Sequence, residues 1–125
     1  MQGTGGTMLR FDRKKVYLAC GHTDMRKSIN GLSAIVESSF KLNPYDEAVF
    51  VFCNRSRDRV KILEWDGDGF WLYFKRLEKG HFRWVTTGEE ATMDMTAEEL
   101  NILLSGARIE QKLKRNEVFA NRAVV

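Results

Sequence analysis

Asp66-Gly67-Asp68-Gly69 obliges the chain to reverse direction between two runs of strand-forming residues, Arg59 to Trp65 and Phe70 to Arg76. Glycine and aspartate tolerate the positive φ angles of a tight hairpin, and the flanking runs are rich in aromatic and β-branched residues. The hairpin lies within a stretch from Phe50 to Trp84 that interleaves aromatic rings with arginine and lysine and holds all 3 tryptophans. A sheet carrying cations beside flat rings suits nucleic acid: cations neutralise phosphates and rings stack on bases. The same pattern also describes an ordinary sheet with an aromatic core and a solvated charged rim.

The remaining elements follow from local pattern. Val16 to Cys20 reads as a first strand that stops at Gly21. Thr23 or Asp24 can cap a helix whose apolar positions are Met25, Ile29, Leu32, Ile35, Val36 and Phe40, ended by Asn43-Pro44. Ala48 to Cys53 is a second strand, Asn54 to Asp58 a polar turn, and the hairpin arms are strands three and four. Glu78-Lys79-Gly80 turns into a fifth strand from His81 to Val85, and Thr86 to Met95 is left as a loop. Thr96-Ala97-Glu98-Glu99 is a capping box opening a short helix through Leu100, Leu103 and Leu104 to Gly106. This predicts an α+β fold: an antiparallel sheet of about five strands in the order β-α-β-β-β-β-α, with the helices on one face.

Length and composition narrow the class. A chain of 125 residues holds one domain, and 43% apolar residues supply a core. The expected organisation is a disordered extension over 1–8, one domain over 9–106, and a charged helix or flexible tail over 107–125. Either Met1 or Met8 can be the natural start. No stretch approaches the roughly 20 apolar residues of a membrane span, and the N-terminus lacks an apolar export signal, so a cytoplasmic protein is expected. Cys20 and Cys53, without neighbouring ligands, make no zinc site and read as buried thiols of a reducing compartment. Net charge is only +3, but residues 55–83 carry eight bases against five acids, while residues 86–105 carry five acids and no base. A basic body with one acidic segment makes a polyanion one candidate partner.

Several residues carry possible chemistry. Arg26 and Lys27 fall in the first turn of the predicted first helix, where the macrodipole disfavours cations; an anion bound at the helix start would explain them, as would pairing with Asp24. Arg55, Arg57 and Arg59 alternate through one turn, and their planar forks suit phosphate or guanine, although a solvated turn partly neutralised by Asp58 is somewhat more common for such a cluster taken alone. Alternation sets Trp71, Tyr73 and Lys75 on one face of the fourth strand and Phe70, Leu72, Phe74 and Arg76 on the other. The second set reads as core. The first reads as an aromatic-basic face that Lys61 and Arg83 would extend. Catalysis finds little support. Asp66 and Asp68 are explained by the hairpin, Glu64 and Glu78 do not form a two-metal site, and His22 and His81 have no nucleophile to serve.

The ordered blocks from Val16 to Lys27, Gly31-Leu32, Phe50 to Arg55, Lys61 to Leu63, Trp65 to Leu72, Lys75 to Gly80, Phe82 to Trp84 and Leu103 to Gly106 resemble the TnpB accessory proteins of insertion sequence 66 elements. Trp84 is followed by Val85, where that family often has proline. The resemblance implies a bacterial protein encoded beside a separate transposase that does the strand chemistry. It is distinct from the RNA-guided nuclease of the same name, whose carboxylates and zinc cysteines are absent.

Together these readings predict a non-catalytic, cofactor-free transposition factor, nucleoid-associated, with element-end DNA and the transposase as partners and self-association open. The expected DNA contacts are Arg26, Lys27, Arg55, Arg57, Arg59, Lys61, Lys75, Arg76, Lys79 and Arg83, with Trp71 and Tyr73 stacking. The competing expectation is a protein-interaction module that bridges or activates the transposase through the same aromatic face.

Overall fold

The central strands alternate between two buried sets, so the middle of the sheet is covered on both sides. In the computed structural model, which describes residue 11 and residues 14–85 and 89–105, the strands are β1 (Lys15–Ala19), β2 (Ala48–Cys53), β3 (Arg59–Trp65), β4 (Phe70–Arg76) and β5 (Thr92–Met95). The helices are α1 (Ile29–Ser38) and α2 (Ala97–Leu104), and the sheet order is β4-β3-β2-β1-β5. The α+β class and the element order β-α-β-β-β-β-α are those expected. The expected segments 1–8 and 107–125 lie outside the described residues.

Three details differ from expectation. The sheet is mixed, because β1 and β2 run parallel while the other neighbours are antiparallel. Parallel neighbours need a long crossover, and the segment carrying α1 supplies it. The helices also take opposite faces. Leu32 and Val36 of α1 pack with Ala19, Phe50, Phe52 and Leu63, whereas Leu100 and Leu103 of α2 join Val16, Leu18, Val49, Val51 and Ile62. β2 is buried along its whole length, as a central strand between two layers requires.

The fifth strand is not His81–Val85. Phe82, Trp84 and Val85 are buried on the α2 face as an extended segment outside the sheet. That segment is tied by Phe82 N–H to the Arg57 carbonyl (2.7 Å), Gly21 N–H to the Val85 carbonyl (2.9 Å) and Trp84 Nε1 to the Ala19 carbonyl (2.9 Å). The edge of β1 is instead taken by Thr92–Met95, inside the expected loop, with Val16 opposite Met95. Alternating aromatics bury a segment wherever an apolar face awaits it, and only the ladder makes a strand.

The α2 cap and the β3–β4 turn follow their sequence signals, whereas α1 starts after Ser28, with no side-chain cap from Thr23 or Asp24, and ends at Ser38 rather than at Asn43-Pro44. Thr96 Oγ1 accepts from Glu99 N–H (3.0 Å) while Glu99 Oε1 accepts from Thr96 N–H (2.9 Å), completing the capping box. In the hairpin, Gly67 takes φ +110° and Asp66 Oδ1 accepts from Gly69 N–H (3.1 Å). Both cysteines are free. Burial lifts the Cys53 thiol to about 12 and also raises Cys20. No described helix is long and apolar enough to cross a membrane.

Candidate functional site

The first helix begins at Ile29, so Arg26 and Lys27 precede it rather than occupy its first turn. The cause is local. Asp24 accepts from the Arg26 backbone N–H (2.9 Å) and takes a paired contact from the guanidinium, Nη2 to Oδ2 at 2.7 Å and Nε to Oδ1 at 3.1 Å. Lys61 then reaches across from β3, its ammonium donating to the carbonyls of Met25 (2.9 Å) and Lys27 (2.8 Å). Carbonyls held by a lysine hold residues 25–27 as a loop over the sheet. Gly31 allows the Lys27 stem to lie on the helix, since a Cβ there would meet Lys27 Cβ at 3.1 Å. The anion site expected at a helix start therefore loses its premise, and pairing with Asp24 accounts for Arg26. The Arg26 hydrogen bonds hold the Asp24 carboxyl at about 2.

The arginine turn is built on Asn54. Its Oδ1 accepts from the N–H groups of Asp58 and Arg59, both at 3.0 Å, and its Nδ2 donates to Asp58 Oδ1 (2.7 Å). Arg57 takes the left-handed conformation, φ +61°, at the sharpest point of the reversal. The Asn54 hydrogen bond, with a smaller contribution from Arg59, keeps Asp58 below the usual carboxylate range. Leu77 N–H donates to the Asp58 carbonyl (2.8 Å) and a ring nitrogen of His81 lies 2.9 Å from the Ser56 carbonyl oxygen. The 54–58 and 77–81 turns are thereby joined, placing Arg55, Arg57, Arg59, Arg76 and Lys79 at one end of the β3–β4 hairpin.

Register decides which residues share a face. Arg59 lies opposite Arg76 and Lys61 opposite Phe74. All four side chains lie on the α1 side of the sheet, where Phe74 is 56% exposed. Two arginines directly opposed repel; each has an acid beside it, Asp58 at 3.3 Å from Arg59 and Glu78 at 2.9 Å from Arg76. Arg26, Arg59, Lys61 and Phe74, with Asp24, Met25 and Asn54, line one open cleft of about 610 Å³. The Arg26 side chain is 91% exposed despite its contact with Asp24. A cleft with three cations, one already neutralised acid and an exposed ring can take an anion beside a flat group.

The other expected residues lie elsewhere. Trp71, Tyr73 and Lys75 do share a face, but it is the α2 face, and register puts Lys61 on the opposite side. Trp71 is 55% exposed, with its Nε1 donating to Asp66 Oδ2 (2.6 Å). Tyr73 is partly covered by Phe11, edge to face at 5.7 Å, and its hydroxyl donates to Glu64 Oε1 (2.7 Å). Burial and the Glu64 carboxylate push Tyr73 up to about 12. Lys75 donates to the Leu104 carbonyl (2.6 Å), and Arg83 belongs to the extended segment rather than to the sheet. Lys27 is exposed in the loop before α1.

Sequence reasoning missed two features of this site. The set read as core includes Phe74 and Arg76; alternation places both on the α1 face, but that face is uncovered at the end of an edge strand and both are exposed. The loop 25–27 was read as helix, and the signal against that reading was the Asp-x-Arg spacing of Asp24 and Arg26. Asp66 serves the hairpin, its carboxylate lowered by the Asp68 N–H first and the Trp71 indole second, while the adjacent Asp68 is raised. Among the described residues, no group of three or more His, Cys, Asp and Glu side chains is placed to hold a metal ion.

Comparison with known proteins agrees over most of the chain. The family model TnpB_IS66, described as IS66 Orf2 like protein, matches residues 14–114. Two proteins of Sinorhizobium fredii (strain NBRC 101917 / NGR234) are similar. "Uncharacterized protein y4hO" is 40% identical over 74% of this chain and 79% of its own length. "Uncharacterized protein y4jC" is 33% identical over 78% of this chain and 86% of its own. No solved structure matches.

Proposed function

The chain belongs to the IS66 Orf2-like family, and we propose that it is a non-catalytic accessory protein of transposition that holds DNA in the groove between the 25–27 loop and the β3–β4 hairpin. Family membership supports the accessory role in an insertion sequence. The observation that carries the DNA reading is the convergence of Arg26, Arg59 and Lys61 with the exposed ring of Phe74 in one cleft. In this reading Arg26, Arg59 and Arg76 contact phosphates, and Lys61 adds charge while fixing the loop. Phe74 stacks on a base or sugar, and Arg55, Arg57 and Lys79 extend the basic surface along the joined turns. Equilibrium binding of the full chain to duplex and single-stranded element-end DNA across a salt series tests it. Affinity should fall steeply as salt rises, and affinity that barely changes contradicts phosphate contact.

A second reading assigns the opposite end of the hairpin to the transposase. Tyr45, 54% exposed, packs on Trp65 and Phe70 with ring centroids at 5.0 and 5.4 Å, and Trp71 is exposed on the other face of β4. Aromatic residues away from the arginine turn suit a protein partner. Co-purification with the transposase that survives loss of DNA binding supports this reading. Loss of both together opposes it.

A further inference from the structure

We infer that β4 is a self-pairing edge, through which two copies of this chain join antiparallel into one continuous sheet. β4 ends the sheet, and among the described residues nothing pairs with its outer side. The Leu77 N–H to Asp58 carbonyl bond and the Asp66 N–H to Gly69 carbonyl bond fix the phase of the β3–β4 ladder. In that phase Trp71, Tyr73 and Lys75 exchange bonds with β3, whereas the N–H and C=O groups of Phe70, Leu72, Phe74 and Arg76 face outward. The ladder runs through all 7 residues of β4, with no proline and no bulge. Proline and bulges are two of the devices by which soluble proteins blunt an open edge, and the charges of β4, Lys75 and Arg76, are confined to one end of it. The other edge, β5, has only 4 residues and carries Asp94.

The sequence of β4 is complementary to itself about Tyr73. A two-fold axis there pairs Phe70 with Arg76 and Leu72 with Phe74 of the second copy, and these are the residues whose backbone groups face outward. Each such pair can exchange two N–H···O bonds. On the other face Trp71 meets Lys75 across the axis and Tyr73 meets Tyr73. Every cation of the strand then lies against an aromatic ring, and the exposed Phe74 gains an apolar neighbour. The same alignment brings the Asp66–Asp68 hairpin of one copy beside the Lys79 turn of the other, while Glu78 stays on its own Arg76. A shift by one residue would set outward-facing backbone groups against inward-facing ones, and a shift by two in either direction would take Arg76 off the Phe70 ring. The strand's own sequence therefore selects a second copy, whatever the ligand of the groove.

The test is the mass of the full chain in solution, by sedimentation equilibrium or light scattering across concentration, with a proline scan of the edge. The wild type should form a dimer. Phe74→Pro should raise its dissociation constant more than about tenfold while keeping the folded spectrum, because proline is tolerated where an edge N–H faces outward. Register is read by oxidation. Trp71→Cys mixed with Lys75→Cys should cross-link, whereas each alone should not, since only unlike positions meet. Three results overturn the inference: a monomer at all concentrations, a dimer unaffected by Phe74→Pro, or equal cross-linking by Trp71→Cys alone. Slow hydrogen exchange at Leu72 and Phe74 in a monomer would show that the chain covers its own edge, and would overturn it as well.

Discussion

Lys61 and Phe74 lie directly opposite each other on neighbouring strands, one tied to the backbone before the first helix and the other bare to solvent. The lysine fixes the wall of the cleft and the phenylalanine forms its apolar floor. Their pairing places a cation and a flat ring within reach of a single ligand, and it separates both from Trp71, which register sends to the far side of the sheet.

Phe74→Ala should therefore weaken binding to single-stranded DNA by about 1–3 kcal/mol, the usual worth of one stacked base, with little change in melting temperature. Trp71→Ala should leave that affinity nearly unchanged. Fluorescence anisotropy with a labelled oligonucleotide compares the two, and a larger loss at Trp71 would move the binding face to the α2 side.

Asp24 competes with any anion for Arg26. Asp24→Asn keeps the shape and removes the charge, so affinity for DNA should rise several-fold, with a steeper dependence on salt. Because Arg26 holds the carboxyl at about 2, Asp24 remains ionised from neutral pH down through pH 4. The gain of the variant should therefore persist across that range, and a gain confined to high pH would point to another group.

Tyr73 titrates at about 12 in the folded protein, above its ordinary value of 10. Between those values the unfolded chain releases the proton first, so it binds fewer protons than the native state and stability falls as pH rises. Below pH 10 the contribution is fully present. Tyr73→Phe should flatten this alkaline decline in urea melts, and should cost about 1–3 kcal/mol at neutral pH because Glu64 loses a buried donor.

Asn54→Ala removes the acceptor for two backbone donors and the donor to Asp58. The expected cost is about 1–3 kcal/mol, with faster hydrogen exchange at Asp58 and Arg59. Asn54→Asp retains the acceptor but places a carboxylate beside Asp58, so it should rescue only in part.

The elements legible in the sequence were those with local causes. The Asp66–Gly69 hairpin, the Thr96–Glu99 capping box and the alternation of β4 each depend on neighbours in the chain, and each was read correctly. What was misread depends on distant partners. Whether Phe82–Val85 joins the ladder is decided by the apolar face it meets, and the start of α1 by a lysine 34 residues beyond Lys27. Alternation told which side Phe74 faces, but whether that side is covered depends on how far α1 reaches. The cleft was hidden for the same reason, since its cations come from two separated segments.

The central claim is that Arg26 and Arg59 act together in one DNA groove. The measurement is the slope of log affinity against log salt for element-end duplex, comparing wild type, the double variant Arg26→Gln with Arg59→Gln, and Lys75→Gln on the opposite face. The double variant should give a weaker complex and a slope smaller by about two, with Lys75→Gln close to wild type. An unchanged slope in the double variant, or an equal loss from Lys75→Gln, would contradict it.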